Sequence, residues 1–263
     1  MKRSLLNLPM ILFVNTILLS ILACNGLTPR VAPTVPAPTS TATPTPLSQQ
    51  LTLIPQASSE SNQTPPFTIT SQTPQLAGSD DPRVTAFNQR LIELVSKEVD
   101  VWRQSFLQNT APTMNNGSTL NVTYTLLSQI GDLWSFKFDF HFYSDGAAHP
   151  GSYSITLNYD LGQGKELVLA DLFLPNTDYL GAISRYCIAE LSKQPFFEGP
   201  FADGAQPTPG NYRNWNITPN GLMITFDEYQ VAPYAAGPQT VTVPYSELRS
   251  LIDPQGPLGE FAQ

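Results

Sequence analysis

The sequence contains few cysteines and histidines, and this shortage excludes two classes of protein. Among its 263 residues, these two types are represented only by Cys24, Cys187, His141 and His149. Disulfide-stapled folds and zinc sites need several such residues at regular spacing, so neither is predicted. Calcium-binding loops of the Asp-x-Asp-x-Asp-Gly type are missing as well. We therefore expect no metal and no cofactor.

Basic residues are also scarce, and they do not cluster. The chain has 13 lysines and arginines against 21 aspartates and glutamates, which gives a formal net charge of −8. Proteins bind phosphate backbones with clustered Lys and Arg, so nucleic acid is not an expected partner. The acidic balance favours cationic ligands or basic proteins instead.

No apolar run is continuous enough for a comfortable membrane span. The stretch from Leu5 to Leu22 is interrupted by two asparagines, a proline and a threonine. Lys2 and Arg3 precede it, as in the positively charged start of a targeting signal. Residues 1–23 are therefore predicted to be a signal peptide.

The end of this segment, Ile21-Leu22-Ala23-Cys24, resembles the lipobox of bacterial lipoproteins. The resemblance implies that Cys24 is acylated, as with palmitate, and that the preceding peptide is removed. The chain would then be lipid-anchored at the outer face of a membrane, in the bacterial cell envelope. The alternative is an ordinary secretory signal cut after Ala23, because small residues precede both kinds of cleavage site.

Residues 24–66 are predicted to form a lipid-bearing cysteine followed by a disordered tether. Pro, Thr, Ser, Ala and Gln dominate this segment, and only Arg30 and Glu60 are charged. Such a composition buries too little apolar area to offset the entropy of ordering the chain. If Cys24 carries lipid, Cys187 has no partner for an internal disulfide, and the fold must rest on its core.

Residues 67–252 are long enough for one hydrophobic core, and we predict a single α+β domain followed by a tail at 253–263. Alternation of apolar and polar side chains predicts strands near residues 67–70, 120–126, 134–142, 153–161, 166–169, 214–218, 222–226 and 240–243. Helices interspersed with hairpins favour one antiparallel sheet over a βαβ arrangement. Asp139, His141 and Tyr143 share the polar face of one strand, which is predicted to be exposed to solvent.

Two main helices and a short C-terminal helix are predicted to pack against this sheet. Asp80-Asp81-Pro82 can start the first, and its apolar residues recur every three or four positions from Val84 to Phe106. The second has an apolar face over Leu180 to Leu191. Cys187 lies on that face without an activating neighbour in the sequence, so it is interpreted as a small buried hydrophobe.

Two loops carry polar and aromatic residues that packing alone does not require. One is the glycine-bounded turn that contains His149 and follows Asp145. The other spans residues 227–238 and holds two carboxylates together with Tyr229 and Tyr234. Rigid sheets display binding surfaces on such loops. His149, Asp145, Tyr229 and Tyr234 are therefore the predicted ligand-binding residues.

A catalytic use of these loops is the alternative. His149 would be a general base, assisted by Asp227 or Glu228, in an enzyme that hydrolyses or deacetylates cell-wall material. No nucleophile elbow of the Gly-x-Ser-x-Gly type is present. Adjacent residues in a strand also point to opposite faces, which does not favour Asp227 and Glu228 as a paired acid and base.

Three groups of residues resemble a known family. They are Gly146-Ala147-Ala148-His149; Asn158-Tyr159-Asp160-Leu161 with Gly164-Lys165-Glu166-Leu167 and Leu169-Ala170-Asp171-Leu172-Phe173; and Tyr229-Gln230-Val231-Ala232-Pro233-Tyr234-Ala235-Ala236-Gly237 with Pro244-Tyr245-Ser246-Glu247-Leu248. Together they are similar to the extracellular domain of the RsiV type. That domain forms the outer part of a lysozyme-sensing anti-sigma factor and precedes the catalytic domain of the peptidoglycan deacetylase PdaC. The similarity covers about residues 67–252.

The resemblance implies an extracytoplasmic, noncatalytic binding module. Its ligand would be associated with the cell wall, either a peptidoglycan glycan or a cationic, lysozyme-like protein to which an acidic chain is complementary. Two features depart from the family: Pro150 stands where a glycine is expected, and the anti-sigma factor's membrane helix is replaced by the lipid anchor. No polysaccharide deacetylase domain is recognisable, so the resemblance does not imply deacetylation.

Overall fold

The computed structural model of the protein describes Leu47 and residues 51–110, 114, 117–197 and 199–262. The predicted signal peptide, Cys24 and most of the predicted tether lie outside the described residues. The described residues all belong to one unit, which runs from Pro44 to the C-terminus. None of the described helices has the length and apolar character needed to cross a membrane.

In the described part of the chain, nine strands form two sheets. The first sheet has six strands in the order β1-β2-β3-β4-β5-β6, and the second has the order β7-β8-β9. The strands of the first sheet are β1 Thr52–Gln63, β2 Pro66–Ala77, β3 Ser118–Ile130, β4 Leu133–Tyr143, β5 Gly151–Asp160 and β6 Lys165–Glu166. Those of the second are β7 Trp215–Thr218, β8 Gly221–Phe226 and β9 Gln239–Val243.

Two main helices and one short helix accompany the sheets, α1 Pro82–Leu107, α2 Tyr179–Leu191 and α3 Tyr245–Leu248. The predicted α+β class is therefore confirmed. α1 begins where the sequence predicts, because the Asp81 carboxylate accepts a hydrogen bond from the Arg83 backbone N–H at 2.8 Å. The Arg83 guanidinium also pairs with this carboxylate, and the contact lowers the pKa of Asp81 to about 2.

Each sheet has its own hydrophobic core. α1 covers the first sheet, and its Phe87 ring packs 6.0 Å from the Phe136 ring and 4.7 Å from the Tyr159 ring, between ring centroids. Among the alternating aromatic residues of β4, Trp134, Phe136, Phe138 and Phe140 are at most 2% exposed, and Phe142 at the end of the strand is partly buried. On the other side of the molecule, α2 packs against the second sheet with Cys187 fully buried, as its helical spacing predicts.

A set of buried polar side chains joins the two sheets. We call Ser128, Ser135, Asn158 and Asn216 the polar seam; each is at most 8% exposed. They lie where β7 crosses the polar face of β3, β4 and β5. The predicted exposure of this face is therefore wrong for its middle, which β7 covers, although His141 near its end is exposed.

Asn158 is the centre of the seam. Its side-chain amide donates to the Trp215 carbonyl at 2.7 Å, and its side-chain oxygen accepts from the Ile217 N–H at 3.1 Å and the Ser135 hydroxyl at 2.6 Å. The side-chain amide of Asn216 donates from β7 to the Ser135 hydroxyl at 2.9 Å. Buried amides and hydroxyls are costly unless they are paired, so these bonds fix the position of β7 on the first sheet.

The strand arrangement differs from the predicted single antiparallel sheet in two ways. The strands β7, β8 and β9 form a sheet of their own, and one pair of neighbours in the first sheet is parallel. β2 and β3 pair in parallel, with Phe67 opposite Ser118 and Ser71 opposite Val122. Parallel neighbours need a long crossover connection, and α1 supplies it. Alternation of apolar and polar residues within a strand does not indicate the direction of the neighbouring strand. The sequence pattern therefore did not predict the parallel pairing of β2 with β3.

The predicted tether boundary at residue 66 is wrong, because β1 pairs with β2 from Thr52 opposite Ala77 to Gln63 opposite Pro66. Backbone hydrogen bonds of this ladder order a segment whose composition is poor in core residues. Pro55 lies directly opposite Pro74. Neither proline has an N–H, so this is a non-hydrogen-bonded pair. The backbone nitrogen and carbonyl of Pro55 therefore point away from β2, toward the free edge of the sheet.

The residues after 252 also differ from the predicted tail. Leu258 is 1% exposed, and the Phe261 ring stacks on the Tyr245 ring with centroids 4.2 Å apart. The C-terminal segment is part of the second core. Its short sequence has no periodicity that would have indicated this packing.

The polar seam yields a stability prediction. Asn158→Ala removes three hydrogen bonds and leaves buried partners unpaired, so we expect the free energy of unfolding to fall by about 3 kcal/mol. Chemical denaturation measures the change. Asn220→Ala is the matched control, because Asn220 is exposed in the turn between β7 and β8 and its loss should cost less than about 0.5 kcal/mol. Equal effects of the two substitutions would contradict the role of the seam.

Candidate functional site

The two loops singled out in the sequence meet in space. The imidazole of His149 lies against the Tyr234 ring with centroids 4.2 Å apart, and the Tyr229 ring stacks on Tyr234 with centroids 5.7 Å apart. The Tyr229 hydroxyl is 3.4 Å from Nε2 of His149. We call His149, Tyr229 and Tyr234 the aromatic cluster. It joins the β4–β5 hairpin turn to the loop that follows β8.

The backbone carbonyl of Pro150 holds the cluster together. It accepts a hydrogen bond from the Tyr234 hydroxyl at 2.9 Å and lies 2.7 Å from Nδ1 of His149. A carbonyl can only accept, so Nδ1 carries the proton in this contact. In the neutral imidazole, Nε2 is then the acceptor and faces the Tyr229 hydroxyl. This role of Pro150 was not predicted, because it belongs to a main-chain carbonyl, which every residue has.

Tyr229 is presented in an unusual way. Its side chain is 56% exposed, and its backbone has a φ of 65°. A bulky residue in the left-handed region carries strain of about 1–2 kcal/mol. Strained residues persist where the surrounding contacts hold them, and they concentrate at binding and catalytic sites. The conformation of Tyr229 therefore marks this loop as a candidate functional feature.

Asp227, just before the cluster, is used to hold the fold. It is 7% exposed, and one carboxylate oxygen accepts from the Ser154 N–H at 2.8 Å. The other accepts from the Arg213 guanidinium at 2.5 Å and the Asn214 side-chain amide at 3.1 Å. These contacts attach the loop to β5 along the edge that β4 leaves free.

Glu228 binds the same edge. Its two oxygens accept from the backbone N–H of Ser152 at 3.1 Å and from the Ser152 hydroxyl at 2.6 Å. β8 ends at Phe226, so the expectation that Asp227 and Glu228 point to opposite faces of a strand does not apply. Both carboxylates satisfy β5 backbone donors that would otherwise lie unpaired at a sheet edge.

Asp145 does not belong to the aromatic cluster. It is 6% exposed, and its carboxylate accepts from the Met114 N–H at 3.1 Å, while its own N–H donates to the Ser118 hydroxyl at 3.0 Å. The carboxylate thus secures the chain that enters β3. Its nearness to His149 in sequence suggested a shared site, but the turn places it among buried groups.

The geometry offers no triad for the catalytic alternative. Among the described residues, no carboxylate hydrogen-bonds to the His149 imidazole, whose Nδ1 faces a carbonyl and whose Nε2 faces a phenol. In the same part of the chain, no group of three or more His, Cys, Asp and Glu residues is arranged to hold a metal ion. Burial raises the pKa of the Cys187 thiol to about 12, so this cysteine is not a nucleophile at neutral pH.

Comparison with known proteins locates a family segment in this part of the chain. The family model for DUF3298, described as a protein of unknown function, matches residues 170–246. That range includes α2, the second sheet, and the loop that carries Tyr229 and Tyr234. His149 and β5 lie outside it.

Three curated proteins are similar over part of the chain. The immunogenic protein MPT64 of Mycobacterium tuberculosis is 31% identical over 107 residues, 41% of this chain and 47% of that protein. An esterase of the same organism is 29% identical over 111 residues, 42% of this chain and 49% of that protein. The peptidoglycan-N-acetylmuramic acid deacetylase PdaC of Bacillus subtilis is 28% identical over 139 residues, 52% of this chain and 30% of that protein. The chain spans about half or less of the length of these relatives.

The fold is shared with a solved structure. A DUF3298 family member from Bacteroides fragilis superposes with a TM-score of 0.63 at 17% identity, over 80% of this chain and 97% of that chain. At this identity the likeness concerns the fold alone. Taken with the match at residues 170–246 and the similarity to PdaC, this shared fold fits the resemblance seen in the three motifs, which is to a PdaC/RsiV-type domain of unknown function.

Proposed function

We propose that this protein is a lipid-anchored, extracytoplasmic module that binds a cell-wall-associated ligand without catalysing a reaction. One observation carries the proposal: three ring-bearing side chains from segments 80 residues apart in sequence converge at an exposed site. The neighbouring carboxylates, which an enzyme would need for chemistry, are occupied by backbone and side-chain donors of the fold.

The cluster has the features of a binding anchor. Tyr229 and Tyr234 supply large apolar rings with polar tips, the side-chain type that is enriched at interfaces. Hydrogen bonds to Pro150 hold the His149 and Tyr234 rings in place before any ligand arrives. A ligand therefore loses little free energy in ordering the site. The two carboxylates that fix the loop to β5 provide the rigid support behind it.

A wall ligand is supported by the relatives. PdaC carries peptidoglycan N-acetylmuramic acid in its name, and the present chain is similar to 30% of its length. The predicted lipidation at Cys24 would keep the domain next to that polymer, at the outer face of a membrane. When many copies of such a module are anchored to one surface, they bind the wall polymer together, and the overall affinity exceeds that of a single copy.

Removal of the exposed ring tests this function. Tyr229→Gly eliminates the side chain and supplies a residue that adopts a φ near 65° without strain. We expect the full-length chain, purified in detergent, to lose about tenfold or more of its affinity for insoluble peptidoglycan in a co-sedimentation assay. Relief of strain offsets the lost stacking, so the free energy of unfolding should change by less than about 1 kcal/mol.

Val101→Ala is the matched control, because Val101 is 57% exposed on α1 and is not part of the cluster. It should leave wall binding unchanged. The same incubations are analysed for released acetate and reducing sugar, since one similar protein is an esterase and another a deacetylase. Turnover by the parent that disappears in His149→Ala would refute the noncatalytic assignment. Absence of any wall binding by the parent would refute the function itself.

The anchor has its own test. Cys24→Ala removes the only residue of the Ile21-Leu22-Ala23-Cys24 motif that can be acylated. In a bacterial host fed labelled palmitate, we expect the parent chain to incorporate label and to fractionate with membranes, and the variant to do neither. A secreted parent without label would favour the ordinary signal peptide. Cys187→Ala, which removes a buried thiol, controls for labelling at the other cysteine.

A further inference from the structure

We infer that the aromatic cluster binds the face of a neutral pyranose ring in a wall glycan rather than a cationic protein. This inference rests on the proposed function and narrows it to one class of ligand. It is argued from the shape, the polar atoms and the charges that the cluster presents.

The rings form a stepped platform. Tyr229 is inclined by 24° to Tyr234, and His149 is inclined by 32° to the same ring. Tyr229 is 56% exposed and His149 is exposed as well, whereas Tyr234 is half-buried. A pyranose ring has a flat face of C–H groups that carry slight positive charge. The electron-rich face of an exposed tyrosine attracts such a surface and removes apolar area from water.

The polar atoms at the rim suit sugar hydroxyls. The Tyr229 hydroxyl and the His149 Nε2 lie 3.4 Å apart, a long contact that leaves both able to accept a second group. A sugar hydroxyl beside this pair would donate to Nε2 and accept from the tyrosine, bridging the two atoms from one side. The Pro150 carbonyl places the Nδ1 proton, so in the neutral imidazole Nε2 is the acceptor that this arrangement requires.

The charges argue against a cationic partner at this surface. The two carboxylates adjacent to Tyr229 in sequence are Asp227, paired with Arg213 at 2.5 Å, and Glu228, which binds Ser152 with both oxygens. Asp145 of the His149 turn is 6% exposed. A lysine or arginine of a partner would therefore meet ring faces and Glu228, whose two oxygens already accept hydrogen bonds from Ser152, although the chain as a whole is acidic. A cation–π contact with an exposed tyrosine offsets only part of the cost of desolvating a lysine or arginine.

Titration of the full-length chain in detergent tests the inference. The probes are chitotetraose, which is neutral, the glucosamine tetramer, which has the same rings with positive charges, and hen lysozyme as a basic protein. We expect chitotetraose to bind, with an affinity that changes by less than about twofold between about 50 and 500 mM NaCl, because a neutral ligand is not screened. Tyr229→Gly should weaken this binding about tenfold or more, and Tyr229→Phe, which keeps the ring, by about threefold or less.

The outcomes separate the inference from the function on which it rests. Binding of lysozyme or the glucosamine tetramer alone, with an affinity that falls steeply as salt rises, would overturn the neutral-sugar inference and leave wall binding intact. Chitotetraose binding that survives Tyr229→Gly would overturn the assignment of the cluster. If no probe binds and insoluble peptidoglycan is not retained either, the inference and the proposed function fail together.

Discussion

The arrangement of this protein depends on how the polar face of its first sheet is covered. A sheet with one apolar face normally leaves its other face to solvent, and the alternation along β4 and β5 predicts that outcome. Here β7 crosses that face. Asn158 of β5 hydrogen-bonds to the β7 backbone, and Asn216 of β7 donates to Ser135 of β4 beneath the surface. Directional bonds allow one position for β7, whereas an apolar contact tolerates sliding. The seam therefore fixes where the second sheet sits.

The position of β7 determines where the aromatic cluster forms. β8 follows β7 by a tight turn, and the loop after β8 is carried to the end of the β4–β5 hairpin. There Asp227 and Glu228 continue the same kind of interaction, because they satisfy backbone N–H groups on the free edge of β5. Tyr229 follows directly and is turned outward by its left-handed backbone. The contacts that stabilise this loop therefore also orient the Tyr229 ring, because Asp227 and Glu228 attach the residues just before it to β5.

The net charge of the whole chain differs in character from the groups exposed at the candidate site. The chain is acidic, with 21 carboxylates against 13 basic residues. Net charge governs long-range attraction and solubility, but contact specificity depends on which groups remain unpaired at the site. Near the aromatic cluster Asp227 and Glu228 accept hydrogen bonds from β5 and Arg213, so the candidate site exposes mainly rings and one imidazole nitrogen. Total charge alone favours a basic partner, whereas the proposal drawn from the cluster is a neutral sugar.

The sequence by itself determined the local structure. The Asp81 cap of α1 follows from an aspartate placed before a proline. The aromatic alternation of β4 and the burial of Cys187 follow from periodicities of two and 3.6 residues. It also indicated His149, Tyr229 and Tyr234 as candidates, because their loops carried more polar and aromatic groups than packing needs. Only the tertiary structure decided that these residues meet, that Asp145 does not join them, and that residues 52–63 form a strand. Contacts between segments far apart in the chain produce no periodic pattern in the sequence. They depend on hydrogen bonds, such as those of Asn158, that form only when the two sheets have come together.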